Sequence, residues 1–198
     1  IILQLVARSK KKKIIDKLID TLHQIKGAYS LVILTNKKLI GVRDPFGIRP
    51  LVLGDKNGSP VLASETCALD MIGAKYVRDI ENGEIIVITE SGMESIKPFK
   101  KIAERPCIFE RIYFASPDSI VGNKTVYTYR KALGEQLAIE NNIIADVIVP
   151  IPDSGVSAAI GFSQKSKIPF ELGIIRSHYV GRTFIEPSQT IRQFGVKL

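Results

Sequence analysis

The stretch ADVIVPIPDSGVSAAIG, residues 145 to 161, sets an apolar β-branched run, then Pro-Asp-Ser-Gly, then a run of small residues. A strand that ends at Val149 and a helix that begins near Val156 would leave the turn between them at the carboxyl end of the strand. Successive backbone N–H groups and the Ser154 hydroxyl would then face the positive end of a helix, a place suited to an anion. Gly155 keeps the approach open, and Ala158, Ala159 and Gly161 would let the helix lie close to the sheet. Asp153 complicates this, because a carboxylate repels a bare phosphate. Either it caps the helix through its side-chain oxygen, or the ligand arrives with Mg²⁺, whose preference for hard oxygen donors suits the turn. A capped strand–helix unit with no ligand fits equally well, since neither standard glycine-rich phosphate-loop spacing is present.

A second group of chemically capable residues follows Ile175. Residues 176 to 198 carry Arg176, His178, Tyr179, Arg182, Thr183, Gln189, Arg192 and Lys197 without clear periodicity. Arginine forks suit bidentate phosphate binding, so a mobile loop of this composition could close over a polyphosphate. Structureless loops of this length are uncommon unless they are lids, binding loops or disordered. The two histidines, His23 and His178, and the two cysteines, Cys67 and Cys107, form no local metal-ligand spacing.

These residues need elements to position them. Ile14, Ile15, Leu18, Ile19, Leu22 and Ile25 recur at helical spacing, with Gly27 as terminator. Strand-like runs follow at 28–35, 38–42, 51–54, 61–63, 84–89 and 93–97, separated by turn signals, with a short helix over 66–72. The pattern breaks at 97–106. It resumes as strand 108–114, helix 126–140, strand 143–150, helix 156–164 and strand 170–175, the alternation of a parallel α/β sheet. We expect an α+β domain over 1–99 and an α/β domain over 100–198.

The chain has 198 residues, 45% of them apolar and 24% charged, a globular composition. No apolar run approaches the ~20 residues of a membrane span, and no signal peptide is visible. These features predict a cytoplasmic protein without membrane contact. The formal charge is +8. The run Lys10 to Lys13 lacks interleaved aromatics, so it reads as a solvated helix face rather than a nucleic-acid site. The apolar opening and the ending at Leu198 are read as those of an internal segment.

RDPFGIRPL (43–51), ASETCALD (63–70), YFASPDS (113–119), PIPDSG (150–155) and HYVGRTFI (178–185) resemble, in this order, the glutamine phosphoribosylpyrophosphate amidotransferase family, over nearly the whole chain. The first two motifs also resemble other glutaminase-type amidotransferases. The resemblance implies the later part of a glutaminase domain of the N-terminal-nucleophile type, with αββα layers, over 1–99. Over 100–198 it implies the earlier part of a type I phosphoribosyltransferase domain with a parallel sheet. In that family an N-terminal cysteine releases ammonia from glutamine. The ammonia reaches C1 of phosphoribosylpyrophosphate and displaces pyrophosphate with Mg²⁺ assistance, giving phosphoribosylamine for purine synthesis.

The resemblance places no catalytic residue in this chain; the cysteine nucleophile would precede it and the acidic pair for the ribose would follow it. Both half-reactions should therefore be missing from the chain alone. It implies that Asp153, Ser154 and Gly155 receive pyrophosphate, with Ser154 tied to Mg²⁺. Tyr179, Gly181, Arg182 and Thr183 match the lid, with Arg192 and Lys197 near its end; Ser177 departs from the asparagine common there. Arg43, Asp44, Gly47, Arg49, Ser64 and Glu65 match positions read as scaffolding. Cys107 matches a ligand of a [4Fe–4S] cluster in some members, and a buried thiol reading stands beside it. The implied partners are glutamine, phosphoribosylpyrophosphate and further copies of the chain in a homo-oligomer. A non-catalytic phosphoribosylpyrophosphate-binding regulatory module is the alternative reading.

Overall fold

The computed structural model describes residues 1–197, and Leu198, the last residue of the second expected domain, lies outside the described residues. The chain divides into two compact units, Ile1–Val126 and the residues from Tyr127 onward.

The first unit begins with two helices, α1 (Ile2–Arg8) and α2 (Ile14–Leu22). Strands β1 (Ser30–Leu34), β2 (Leu39–Arg43), β3 (Val52–Lys56) and β4 (Ser59–Ala63) follow, then α3 (Thr66–Met71), β5 (Lys75–Asp79), β6 (Ile85–Thr89) and β7 (Gly92–Ile96). They form two antiparallel sheets, one ordered β1-β2-β6-β7 and the other β4-β3-β5. Alternation along the strands creates three apolar layers. Ile40, Val42, Ile85 and Val87 face Leu18 and Leu22 of α2. Ile86 and Ile88, on the other face of β6, meet Leu51, Leu53 and Ile80 between the sheets. Val52 turns outward to Leu69 of α3. The order is helix, sheet, sheet, helix, which is why β6 reads as an unbroken apolar run: both its faces are buried.

Gly41 lets the sheets approach, since a Cβ there would lie 2.8 Å from Leu62 Cδ1 and 2.9 Å from Ile86 Cγ2. β5 escaped the sequence reading because Lys-Tyr-Val-Arg-Asp is mostly exposed and shows no apolar alternation.

After β7 the chain enters residues 108–114, expected as a strand. They form instead a short helix whose last turn, Glu110–Phe114, is a π-helix. A short apolar run does not distinguish the two states. Among the described residues no strand pairs with them, and Glu110 is drawn inward while Phe109, Tyr113 and Phe114 face solvent. A small hairpin, β8 (Ile120–Val121) and β9 (Lys124–Thr125), leads to α4 (Val126–Glu140).

In the second unit α4 and α5 (Val156–Ser166) cross closely at glycines. A Cβ on Gly134 would stand 1.8 Å from the Ala158 carbonyl oxygen, and one on Gly161 would stand 2.0 Å from that of Lys131. The strands expected at 143–150 and 170–175 pair in parallel at one bridge only, Ile148 with Phe170. Val147, Val149, Leu172 and Ile174 around it are exposed, so among the described residues there is no neighbouring strand to extend the ladder. The stretch after Ile175, expected to lack regular structure, contains a 3₁₀ turn (Thr183–Ile185) and a helix, α6 (Gln189–Lys197). Ile191 and Phe194 of α6 line one pocket with Val180 and Thr183, a pairing that sequence spacing alone does not reveal.

Candidate functional site

The turn after the Ile148 bridge has the expected placement at the start of α5. Gly155 is the N-cap, and its N–H donates to the Ile151 carbonyl at 3.0 Å. A Cβ at 155 would stand 2.8 Å from that same oxygen, so glycine is required for the turn to close this tightly. No side chain caps the helix, which settles one of the two roles considered for Asp153: it does not act as the cap. Its carboxylate instead faces the Arg176 guanidinium at 3.3 Å, with both side chains largely exposed. The Ser154 hydroxyl is exposed beside it. The Pro152–Asp153 peptide is cis. An uncapped N-terminus, an exposed hydroxyl and an exposed carboxylate together offer backbone donors for an anion and hard oxygens for a cation.

The residues expected in the lid gather separately. Tyr179, Gly181, Arg182 and Thr183 line one pocket of about 200 Å³ with Glu186, Ile191, Phe194 and Gly195. Gly195 permits this, since a Cβ there would lie 2.9 Å from Thr183 Cγ2. Arg192, in α6, is engaged at the start of its own helix: Nε and Nη2 donate to Gln189 Oε1 at 3.0 and 2.6 Å, and Nη1 donates to the Glu186 carbonyl. Lys197 lies in the last turn of α6, the end where a cation is favoured. Among the described residues no hydrogen bond or ion pair joins Asp153, Ser154 or Gly155 to Tyr179, Arg182, Arg192 or Lys197. Arg176, in the stretch before the lid, makes the one ion pair to the turn.

In the first unit, Arg43 and Asp44 build a rigid loop. Arg43 donates to the carbonyls of Arg49 at 2.9 Å, Ile80 at 2.8 Å and Gly47 at 3.3 Å. The buried Asp44 carboxylate accepts N–H bonds from Phe46 at 3.0 Å, Ile48 at 3.2 Å and Arg49 at 3.1 Å. Gly47 has φ +65°, and a Cβ there would stand 2.0 Å from Asn82 Oδ1. The loop holds Arg49 outward, 2.5 Å from Glu110. A pocket of about 70 Å³ opens nearby, lined in part by Arg43, Ser64, Glu65, Cys107 and Glu110. Burial pushes the Glu110 carboxyl up from its ordinary range; Arg49 pulls it down and Glu65 adds to the rise.

Glu110 is the functional-looking residue that the sequence reading missed. Its signal is a lone carboxylate inside Ile-Phe-Glu-Arg-Ile-Tyr-Phe. Cys67 and Cys107 are both free thiols, and among the described residues no group of three or more His, Cys, Asp or Glu side chains could hold a metal. Nor, among them, is any helix long and apolar enough to cross a membrane.

Comparison with known proteins first gives the class. A glutamine amidotransferase domain model matches residues 1–71. Over its full length the chain is 56% identical to an amidophosphoribosyltransferase of Rhizobium etli, 52% to a chloroplastic one of Glycine max and 43% to that of Bacillus subtilis. A solved glutamine phosphoribosylpyrophosphate amidotransferase from B. subtilis, complexed with ADP and GMP, superposes with a TM-score of 0.89 at 43% identity, covering 98% of this chain and 43% of that one. The chain belongs to the amidophosphoribosyltransferase family. It spans 41%, 35% and 42% of the three relatives' lengths.

Proposed function

We propose that this chain forms part of an enzyme that transfers ammonia from glutamine to C1 of 5-phosphoribosyl 1-pyrophosphate. The products are 5-phosphoribosylamine, glutamate and pyrophosphate, at the first committed step of purine synthesis. The observation that carries this reading is identity of 43% or more along the whole chain to the Rhizobium, Glycine and Bacillus enzymes. In this reading residues 1–99 are the later part of an N-terminal-nucleophile glutaminase domain. Residues 100–198 are the earlier part of a type I phosphoribosyltransferase domain.

Each residue then has a role. The backbone around Asp153, Ser154 and Gly155 receives pyrophosphate at the uncapped start of α5, a geometry suited to an anion. Tyr179, Gly181, Arg182 and Thr183 close over it, with Arg192 and Lys197 adding positive charge, so that water is excluded while ammonia attacks C1 and pyrophosphate leaves. The exposed oxygens of Ser154 and Asp153 fit Mg²⁺, which would supply charge neutralisation on the departing pyrophosphate. Before the ligand arrives, Arg176 offsets the Asp153 charge.

A [4Fe–4S] cluster would take four thiolates. Cys107 would supply one of them in this reading, but this chain's two cysteines do not complete the set. Neither thiol is given a part in glutamine hydrolysis. A cytoplasmic location and a homo-oligomeric state complete the proposal; cell fractionation and light scattering test them.

The substitutions Ser154→Ala and Arg182→Ala, made in the complete natural protein, test the site. Each should weaken Mg²⁺-dependent phosphoribosylpyrophosphate binding about tenfold or more, in line with the loss of a charge-assisted contact. Glutamine hydrolysis measured alone should hold. Unchanged binding in both variants would remove the assignment.

A further inference from the structure

The loop at 44–50 and the start of α3 grip residues 105–120 at both ends, by contacts that all lie within the first unit. At the near end the Arg105 N–H donates to the Phe46 carbonyl at 2.8 Å, and the Arg105 guanidinium lies 5.3 Å from the centre of the Phe46 ring. At the far end Glu65, the N-cap of α3, accepts the Ser116 N–H at 2.7 Å and the Ser119 hydroxyl at 2.6 Å. The Ile120 N–H donates to Thr66 Oγ1 at 2.8 Å, and the Cys67 N–H donates to Ser119 Oγ at 3.4 Å. Ser119 is 0% exposed and Thr66 6%.

Between these two anchors sits Arg49. Its guanidinium reaches Glu110 at 2.5 Å and lies 4.9 Å from the centre of the Phe114 ring, within cation–π range. Glu110 is 8% exposed and has no aligned hydrogen-bond donor at Oε1, so the nearby Arg49 charge is what compensates its burial. The helical turn shows only Glu110 buried, while its aromatic residues are exposed. Apolar packing therefore contributes little to holding it. Arg49, itself set by the Arg43–Asp44 loop, pairs with the one side chain that the turn buries.

We infer that Arg49 is a positioning residue: by holding Glu110 and Phe114 it latches the 108–114 helix onto the first unit and fixes the path of the chain between Arg105 and Ser119. For its functional readout this inference rests on the proposed function, where use of ammonia released from glutamine demands more alignment than use of ammonia supplied from solution. Arg49 touches no substrate in this account. Its loss should leave the separate half-reactions standing and impair their joining.

The test uses the complete natural protein with Arg49→Met, read in two ways. In hydrogen–deuterium exchange, amides of 108–114 should exchange about tenfold faster in the variant, while those of β2 and β6 hold, as expected of a local opening. In pyrophosphate release, the ammonium-supported rate should stay within about twofold, and the glutamine-supported rate should fall about tenfold, with glutamate still produced. Unchanged exchange would overturn the latch. Equal losses with both nitrogen donors would overturn its positioning role. If Arg49→Met does not fold, Glu110→Gln meets the same criteria, since it removes the charge that Arg49 holds. A wild-type protein that releases no pyrophosphate with either donor would refute the proposed function, while the exchange arm would still decide the latch.

Discussion

Glu84 gives the most quantitative prediction. Its side chain is fully buried, yet it receives Arg78 through Nη1 at 2.8 Å and Nη2 at 2.7 Å, the Ser95 hydroxyl at 2.7 Å and the Glu81 N–H at 2.7 Å. Burial alone would raise its pKa. The hydrogen bonds from Arg78, the Glu81 N–H and Ser95, with the Arg78 charge, outweigh burial and bring it down to about 2. Because the folded value lies below the unfolded one, the stabilisation is complete above the ordinary carboxylate range. It is lost as pH falls toward the folded value.

The interval from 4.5 down to about 2, at about 1.4 kcal/mol per pH unit, amounts to roughly 3.5 kcal/mol at neutral pH. Arg78 is 35% exposed, and solvent screening brings the expected figure to about 2 kcal/mol. Glu84→Gln keeps the shape and removes the charge. Urea unfolding of both proteins across acid pH should show a gap of that size near neutrality, closing as the wild-type carboxylate protonates. A gap that stays constant with pH, or one below about 0.5 kcal/mol near neutrality, would refute this electrostatic account.

Three further outcomes follow from the same geometry. Gly161→Ala should destabilise the second unit by about 2 kcal/mol or more, because its Cβ would meet a backbone oxygen at 2.0 Å that cannot yield as a side chain can. Gly41→Ala should cost less, since its nearest neighbours are the movable ends of Leu62 and Ile86; thermal melts of the two variants compare them directly. Asp44→Asn should cost about 1–3 kcal/mol in chemical denaturation, since three loop N–H groups lose an ionised acceptor.

Much of the architecture was legible in residue spacing. The apolar period of α2 and the unbroken apolar run of β6 both follow from which faces are buried, and α4 begins and ends where its pattern does. β5 and α6 were not legible, because the first is mostly exposed and the second lies in a stretch with no clear period. Residues 108–114 were misread as a strand, since their aliphatic and aromatic residues suit either state and the deciding contact, Arg49 to Glu110, joins positions far apart in sequence. At the site, the turn before α5 was visible from Pro-Asp-Ser-Gly. The role of Asp153 was not, because its partner Arg176 comes 23 residues later and is found only through the fold. Arg49 and Glu65 stood out as motif positions, but what they hold became clear only once 105–120 was in place.

The most direct test of the central proposal is pyrophosphate release from Mg²⁺-phosphoribosylpyrophosphate by the complete natural protein, with glutamine, with ammonium and with neither. Release is expected with either nitrogen donor, with little in the absence of both, and both supported rates should be lost in Ser154→Ala. A folded protein that releases no pyrophosphate with either donor would contradict that proposal.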